Sequence, residues 1–280
     1  MKKILNTSLG FLVACSFFSI SSQETYAKKE NKHSVATMNN IKIKTETVEY
    51  KSGDTVLEGY LAYPEKLNGK AVGILVVHEW TGLGDYVKMR VEQLAKLGYV
   101  AFAPDIYGKG VRPKPPEAGK IAGIYKNDRK LMRERVNAGF NILKNNKMVD
   151  PKKLVSMGYC FGGTVSLELA RSGADLAGVI SFHGGLDSPT PEDGKNIKGK
   201  VLVLHGADDP YVPQKDIEAF QNEMRNNKID WQMVLYGDAV HAFTNKNTGN
   251  NKASGAAYNK LADERSWKHM KLFLDDLFSK

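Results

Sequence analysis

A cysteine between closely spaced glycines is the feature of this sequence best suited to chemistry. Cys160 lies in Gly158-Tyr159-Cys160-Phe161-Gly162-Gly163, after the short apolar run 154–157 and before a helical pattern. A reactive residue between two glycines at a strand-to-helix turn is the pattern of a nucleophile elbow. The thiol would lie at a helix N-terminus, where free N–H groups favour a thiolate and can bind a developing oxyanion. The pattern alone is also compatible with a buried, inert cysteine.

A thiol nucleophile needs a base and an orienting acid, and two later segments offer them. Asp208 and Asp209 follow one predicted strand, and His241 follows the next. Sites in open α/β sheets form at the carboxyl ends of the strands, so Cys160, one of these aspartates and His241 can converge on one edge. His241 would take the thiol proton, and the aspartate would fix the imidazole tautomer.

An oxyanion formed at this edge would need backbone N–H donors. We expect one from Phe161, the residue after the nucleophile, and a second from the turn His78-Glu79-Trp80 after another apolar strand. His78, His183 and His205 each end a predicted strand, and a lone histidine there is more often a hydrogen-bonded structural residue. Trp80, Phe161 and Tyr107 could line an acyl pocket, although aromatic packing is the stronger explanation for any single one of them.

Apolar runs rich in β-branched residues alternate with helical patterns along the chain. Continuous apolar strands are typical of a sheet covered on both faces, and the alternation predicts a mostly parallel sheet with right-handed crossovers. We therefore expect one doubly wound α/β domain over residues 45–280. The predicted strands cover residues 55–63, 72–77, 100–103, 154–158, 178–182, 201–204 and 231–235. The predicted helices cover 87–97, 119–144 (with room for two), 163–171, 215–226 and 254–278.

The charge pattern and the spacing of polar residues exclude several classes of function. The net charge is +9, but the lysines and arginines are scattered, and no zinc finger, RNA-binding signature or basic-aromatic stripe is present. His78-Glu79 is not a metal motif because no second histidine follows one helical turn later. We expect no metal, no other cofactor and no nucleic-acid partner.

The N-terminal residues have the composition of an export signal. Lys2-Lys3 precede a broadly apolar stretch, and Thr25-Tyr26-Ala27 offers a cleavage site. We expect a signal peptide over 1–27, a flexible leader over 28–44 and a periplasmic or secreted protein. In the alternative, Leu12-Val13-Ala14-Cys15 is a lipobox with a signal over 1–14, and lipidated Cys15 would anchor the protein at the cell envelope. Cleavage after Ala27 would leave Cys160 without a disulfide partner.

The chain resembles the dienelactone hydrolase family of α/β-hydrolases over roughly residues 48–278. The blocks that carry the resemblance are residues 76–83, the cysteine elbow 158–163, residues 205–213, and residues 236–243. The resemblance implies an α/β-hydrolase fold and a Cys160-His241-Asp209 triad, because the family places its acid four residues before the Pro of Val-Pro. It assigns Glu79 to the control of the resting thiol and the second oxyanion N–H to Trp80. The implied reaction is hydrolysis of a carboxylic ester or lactone through an acyl-enzyme.

One position departs from the family members that cleave dienelactones, in which arginines bind the substrate carboxylate. One of those arginines lies four residues after the catalytic histidine, where this chain has Asn245. Lys109 or Arg112, in a proline-rich loop, could replace another. We therefore take Lys109, Arg112 and Asn245 as candidate substrate-binding residues, and expect that the natural substrate differs from a dienelactone.

Three functions stay open from the sequence. A thiol hydrolase with a small-molecule ester or lactone substrate is favoured by the complete set of Cys160, Asp209 and His241. A non-catalytic envelope binding protein could keep the fold without turnover. An acyltransferase would use the same acyl-enzyme and exclude water. We expect a monomer in each case.

Overall fold

An eight-stranded sheet lies at the centre of residues 41–278, the part of the chain that this computed structural model describes. The strands are β1 Ile43–Ser52, β2 Thr55–Pro64, β3 Ala71–Val77, β4 Val100–Ala103, β5 Val149–Tyr159, β6 Gly178–Phe182, β7 Lys200–Gly206 and β8 Trp231–Tyr236. Their order is β1-β2-β4-β3-β5-β6-β7-β8. β2 pairs antiparallel with both neighbours, and all other pairs are parallel. The prediction of a mostly parallel sheet is confirmed.

Helices cover both faces of the sheet, as the continuous apolar strands require. They are α1 Asp85–Ala95, α2 Glu117–Asn127, α3 Arg129–Lys144, α4 Phe161–Arg171, α5 Gln214–Asn226 and α6 Lys260–Phe278. Successive side chains of a strand point to opposite faces, so Leu75 and Val77 belong to the core on the side of α2 to α5, and Ile74 and Val76 belong to the core on the side of α1 and α6. None of these helices is long and apolar enough to cross a membrane.

Two boundaries differ from those expected from the sequence. β1 begins at Ile43, which pairs with Pro64, so this strand begins two residues before the predicted domain boundary at 45. Most β1 side chains are exposed and polar, so the strand lacks the apolar pattern that marks the others. α6 begins at Lys260 and not at Ser254, because the preceding segment pairs with the His241 loop through Ala256. The predicted signal peptide and nearly all of the leader lie outside the described residues.

The parallel strands bring the candidate catalytic residues to one edge of the sheet. β3, β5, β7 and β8 run in the same direction, so their carboxyl ends meet there. Glu79 follows β3, Cys160 follows β5, Asp209 follows β7 and His241 follows β8. Residues far apart in the sequence therefore meet in one region.

Candidate active site

Cys160 occupies a strained turn between β5 and α4. Its backbone φ is 55° and its ψ is −119°, a conformation that costs free energy in a non-glycine residue and is typical of functional sites. A Cβ at Gly158 would meet the Gly162 carbonyl oxygen at 2.1 Å, and a Cβ at Gly162 would meet the Val77 carbonyl oxygen at 2.2 Å. Both positions therefore require glycine, and the turn presents a half-buried thiol.

Asp209 and His241 form the hydrogen bond expected of an acid and its base. Asp209 Oδ2 lies 2.8 Å from His241 Nδ1, and Asp209 Oδ1 accepts the Tyr211 N–H at 2.9 Å. The bond through Nδ1 leaves Nε2 of the imidazole free to exchange a proton with a nucleophile. Asp208 is exposed and its backbone N–H bonds to the Ala239 carbonyl.

The thiol lies close enough to His241 to affect its protonation. Burial lowers the pKa of His241, but the charge of Cys160 and hydrogen bonds to Asp209 and Cys160 outweigh burial and raise the pKa well above its ordinary value. His241 is therefore a stronger base for the thiol proton than an ordinary imidazole. The arrangement suits a cysteine that reacts as its ion pair with histidine.

The backbone next to the thiol offers hydrogen-bond donors for an oxyanion. Phe161 is the first residue of α4, so its N–H has no acceptor within the helix. Trp80 lies in the turn after β3, and its carbonyl accepts the Tyr107 hydroxyl at 2.9 Å. The rings of Tyr107 and Phe161 pack with centroids 5.5 Å apart, and 37% of Trp80 is exposed. The oxyanion roles of Phe161 and Trp80 stay predictions.

The buried Glu79 carboxyl is hydrogen-bonded to Asn245 and not to the thiol. Asn245 Nδ2 donates to Glu79 Oε2 at 2.7 Å, and 7% of Asn245 is exposed. Burial raises the pKa of Glu79 to about 7, against the lowering effects of the Asn245 bond and of His241. A proton can therefore move on or off Glu79 near neutral pH. Its control of the thiol stays a prediction, and Asn245 supports Glu79 in this structure.

The two candidate cations of the proline-rich loop are held by other groups. Lys109 is exposed and pairs with Glu49 of β1. Arg112 donates from Nε to the Leu83 carbonyl at 2.7 Å and from Nη1 to the Val111 carbonyl at 2.8 Å. The predicted substrate-binding role of both residues stays a prediction.

Several polar residues beneath the site were missed as functional candidates. They are Tyr86, Arg90, His183, Thr244 and Asp263, which form one hydrogen-bonded group. The sequence carried a signal for Arg90, because a charged residue lies at helical spacing on the apolar face of α1. That face also holds Val87, Val91 and Leu94. His78 and His205 are buried at strand ends. Among residues 41–278, no group of three or more His, Cys, Asp or Glu side chains is arranged to hold a metal ion.

Comparison with known proteins identifies the family. The model of the dienelactone hydrolase family matches residues 57–278, and this range is well over half of the chain. The chain belongs to the dienelactone hydrolase family. It is accordingly a hydrolase of ester or lactone bonds, and the resemblance drawn from the elbow and its partner blocks is confirmed.

Similar proteins and a similar solved structure match most of the chain. "Protein usf" of Aquifex pyrophilus is 30% identical over 203 residues, covering 71% of this chain and 87% of the relative. A "Putative carboxymethylenebutenolidase" of Saccharolobus solfataricus is 29% identical over 259 residues, covering 80% and 96%. The solved structure m3DLH superposes with a TM-score of 0.82 at 39% identity, covering 85% of this chain and 99% of that one.

A second solved structure broadens the chemistry found among similar proteins. It is a dienelactone hydrolase-like promiscuous phosphotriesterase, P91, from metagenomic libraries. It superposes with a TM-score of 0.81 at 36% identity, covering 85% of this chain and 99% of that one. The expected α/β-hydrolase fold is confirmed by these likenesses.

Proposed function

We propose that this dienelactone hydrolase family member cleaves a carboxylic ester or lactone through a Cys160-His241-Asp209 triad and an acyl-enzyme. The observation that carries the proposal is the bond of 2.8 Å between Asp209 and His241 beside a thiol on a strained elbow. Strain of this kind persists only where the surrounding structure over-determines it, and it is concentrated at sites that act on ligands. A non-catalytic binding protein would have no need of the aligned acid, base and thiol.

Acylation begins when His241 Nε2 takes the thiol proton and the sulfur attacks the carbonyl carbon. The carbonyl π electrons move to oxygen, and the N–H groups of Phe161 and Trp80 donate hydrogen bonds to the oxyanion that forms. Collapse of this intermediate re-forms the carbonyl and breaks the bond to the alcohol oxygen. His241 returns its proton to that oxygen, and Asp209 stabilises the imidazolium in the interval.

Deacylation repeats the same proton transfers with water. His241 takes a proton from water as the oxygen attacks the thioester carbon. The tetrahedral intermediate then expels sulfur, the carboxylic acid leaves, and the proton on His241 restores the resting thiol–imidazole pair. In a lactone the alcohol and the acid are parts of one product, so the ring opens and nothing leaves before water attacks.

The decisive experiment replaces the nucleophile. Cys160→Ala should abolish cleavage of short p-nitrophenyl esters, with far-UV circular dichroism and melting temperature close to wild type. Cys160→Ser keeps a hydroxyl for His241 to activate and should retain weak activity. Intact-protein mass spectrometry of acid-quenched wild type should show the added acyl group, and Cys160→Ala should not. Near wild-type turnover by Cys160→Ala would refute the nucleophile.

A substrate panel separates hydrolysis from its alternatives. It should include short esters, simple lactones, a dienelactone and a neutral phosphotriester, the last because of the similarity to P91. Acid release in water supports the hydrolase, whereas product that forms only with an added alcohol or amine acceptor supports an acyltransferase. Binding without turnover of any class supports the envelope binding protein.

We also propose that the protein is exported. The support is the basic Lys2-Lys3, the apolar stretch that follows and the cleavage site ending at Ala27. N-terminal sequencing of protein recovered outside the cytoplasm should give a chain that begins at Lys28. A lipid-modified N-terminus at Cys15 would support envelope anchoring, and an intact Met1 in the cytoplasm would refute export.

A further inference from the structure

Thr244 lies three residues after His241, and its hydroxyl is buried among polar partners. Only 2% of the residue is exposed. Its Oγ1 lies 2.7 Å from His183 Nε2 and 2.6 Å from the Tyr86 hydroxyl. A buried hydroxyl that satisfies two partners at once ties together the segments that carry them. Those segments are the His241 loop, the loop after β6 and helix α1.

His183 extends this connection to the nucleophile. The residue is fully buried, and its Nδ1 accepts the backbone N–H of Cys160 at 3.1 Å, a hydrogen that the Phe182 carbonyl shares at 3.0 Å. Because Nδ1 accepts, a neutral ring carries its proton on Nε2 and donates it to Thr244. Burial, then the charges of His241 and Arg90, lower the pKa of His183 well below its ordinary value, so the ring stays neutral.

Arg90 binds Thr244 and Tyr86, at the end of the hydrogen-bonded connection opposite Cys160. Its Nη2 donates to the Thr244 carbonyl at 2.9 Å and to Asp263 Oδ1 at 2.7 Å, and its Nε donates to the Tyr86 hydroxyl at 3.2 Å. Thr244 is therefore held at both its carbonyl and its hydroxyl. Arg90 is 5% exposed and paired with Asp263, so its charge is compensated where it lies.

We propose that His183 and Thr244 are positioning residues that lock the backbone of Cys160 to the loop of His241. The proposal rests on the function proposed above and explains how its thiol and imidazole keep their separation. The backbone φ is 55° at Cys160 and 56° at Ala242, the residue that follows His241. The turn that carries the thiol and the turn that carries the imidazole are therefore both strained. Such turns relax unless neighbouring groups hold them. The series of hydrogen bonds that runs from the Cys160 backbone N–H through His183 and Thr244 to Arg90 supplies that restraint across the site.

Thr244→Val tests the restraint, because it keeps the shape of the side chain and removes the hydroxyl. A displacement of about 1 Å in a catalytic pair can cost about 100-fold in rate. We expect kcat for ester cleavage to fall about 10- to 100-fold with KM within about twofold of wild type. Thr244→Ser keeps the hydroxyl and should recover most of the loss. His183→Ala should cause a similar loss, and the double variant should lose less than the product of the two single effects.

The pH profile of thiol alkylation gives a readout that stability alone does not move. In free wild type, iodoacetamide reacts with a thiolate that the His241 imidazolium favours. If Thr244 positions His241, Thr244→Val should shift this profile to higher pH, and Thr244→Ser should restore it. Thr164→Val is the matched control, since its hydroxyl is equally buried and bonds to the Gly185 carbonyl at 3.0 Å. It should lower the melting temperature without shifting the profile.

The alkylation experiment needs no substrate, so its outcome is independent of the ester-cleavage test with Cys160→Ala. A Thr244→Val enzyme with kcat within twofold of wild type and an unchanged alkylation profile would overturn the positioning role. A loss that Thr244→Ser fails to recover would overturn it as well. If Thr244→Val does not fold, Tyr86→Phe removes one of the two hydroxyl contacts and should give a smaller shift in the same direction. No shift in that variant would then count against the proposal.

Discussion

The two ends of helix α4 hold buried charged or reactive side chains in opposite ways. At its C-terminal end, Arg171 is fully buried and donates to both oxygens of Glu223 at 2.8 and 2.6 Å and to Glu168 at 3.0 Å. Glu168 accepts a further bond from Arg133 at 2.8 Å. At the N-terminal end, the Cys160 thiol is half-buried and faces His241, while the carboxyl of Glu79 is held by a neutral amide.

This difference separates a structural cluster from a reactive one. Both ends agree with the helix dipole, which favours a cation at the C-terminus and an anion at the N-terminus. Around Arg171 each charge has an opposite charge with good geometry, so removal of one partner strands the other. Around Cys160, the thiol and the Glu79 carboxyl lack partners of opposite charge among residues 41–278 that would fix their protonation. These groups can therefore gain or lose protons, and their incomplete pairing lowers the stability of the fold. Variants at the two ends should therefore change different properties.

Asp209→Asn should give the largest change in activity. The amide no longer fixes the tautomer of His241 or stabilises its imidazolium, so kcat should fall about 1,000-fold or more. Steady-state ester hydrolysis measures the effect. Asp208→Asn, an exposed neighbour without the histidine contact, is the matched control and should be mild. The reverse ranking would show that the acid is Asp208.

Glu223→Gln should give the largest loss of stability. It leaves the buried Arg171 with one carboxylate partner, and breaking a buried pair costs about 3–5 kcal/mol. Urea denaturation should show this loss, while kcat of the remaining folded enzyme stays near wild type. Glu218→Gln is the control, because Glu218 is an exposed residue of α5, the helix that also carries Glu223. Equal stabilities of the two variants would contradict the contrast between the helix ends.

Glu79→Gln should stabilise the protein at neutral and higher pH. Burial raises the pKa of Glu79 from 4.5 to about 7, so the native state binds this proton more tightly than the unfolded state. Its contribution to stability therefore falls as pH rises from 4.5 to 7, by up to about 3 kcal/mol. The glutamine variant lacks this loss. Denaturation at pH 4.5 and pH 8 should show a gain only at the higher pH, and a gain at neither would refute the titration.

The same substitution tests the control of the thiol. A nearby carboxylate disfavours the thiolate, so Glu79→Gln should raise the rate of iodoacetamide alkylation in the free enzyme. Since Glu79 is protonated well below pH 7, the increase should be several-fold above pH 7 and small near pH 5.5. Ester hydrolysis should fall if substrate binding normally releases the thiol. Unchanged alkylation and hydrolysis across this range would eliminate the role.

Lys109→Met should give the smallest change. Its ammonium group is exposed and paired with Glu49, and exposed pairs contribute little to stability. We expect an unchanged melting temperature and equal kcat/KM for a neutral ester. An ester with a free carboxylate on its acyl chain tests the substrate-binding prediction. A selective rise in KM for that ester would place Lys109 in the substrate site.

Much of the architecture could be predicted from local patterns. The continuous apolar strands made the doubly covered sheet predictable, and the spaced glycines marked the elbow because a Cβ there would collide with backbone. β1 could not be predicted, since an edge strand with exposed side chains carries no apolar period. The choice of Asp209 over Asp208 needed family resemblance, because two adjacent aspartates look alike in a loop.

The sequence alone showed which groups could do chemistry, namely the thiol of Cys160, the imidazole of His241 after β8 and an aspartate after β7. What each of these groups faces depends on the tertiary structure. Arg90 and Thr244 are 154 residues apart, yet share a hydrogen bond of 2.9 Å, and Asn245 reaches Glu79 across 166 residues. Such contacts depend on how the crossover helices return each loop to the same edge. Spacing along the chain records the types of the residues, whereas their partners, burial and protonation arise from packing.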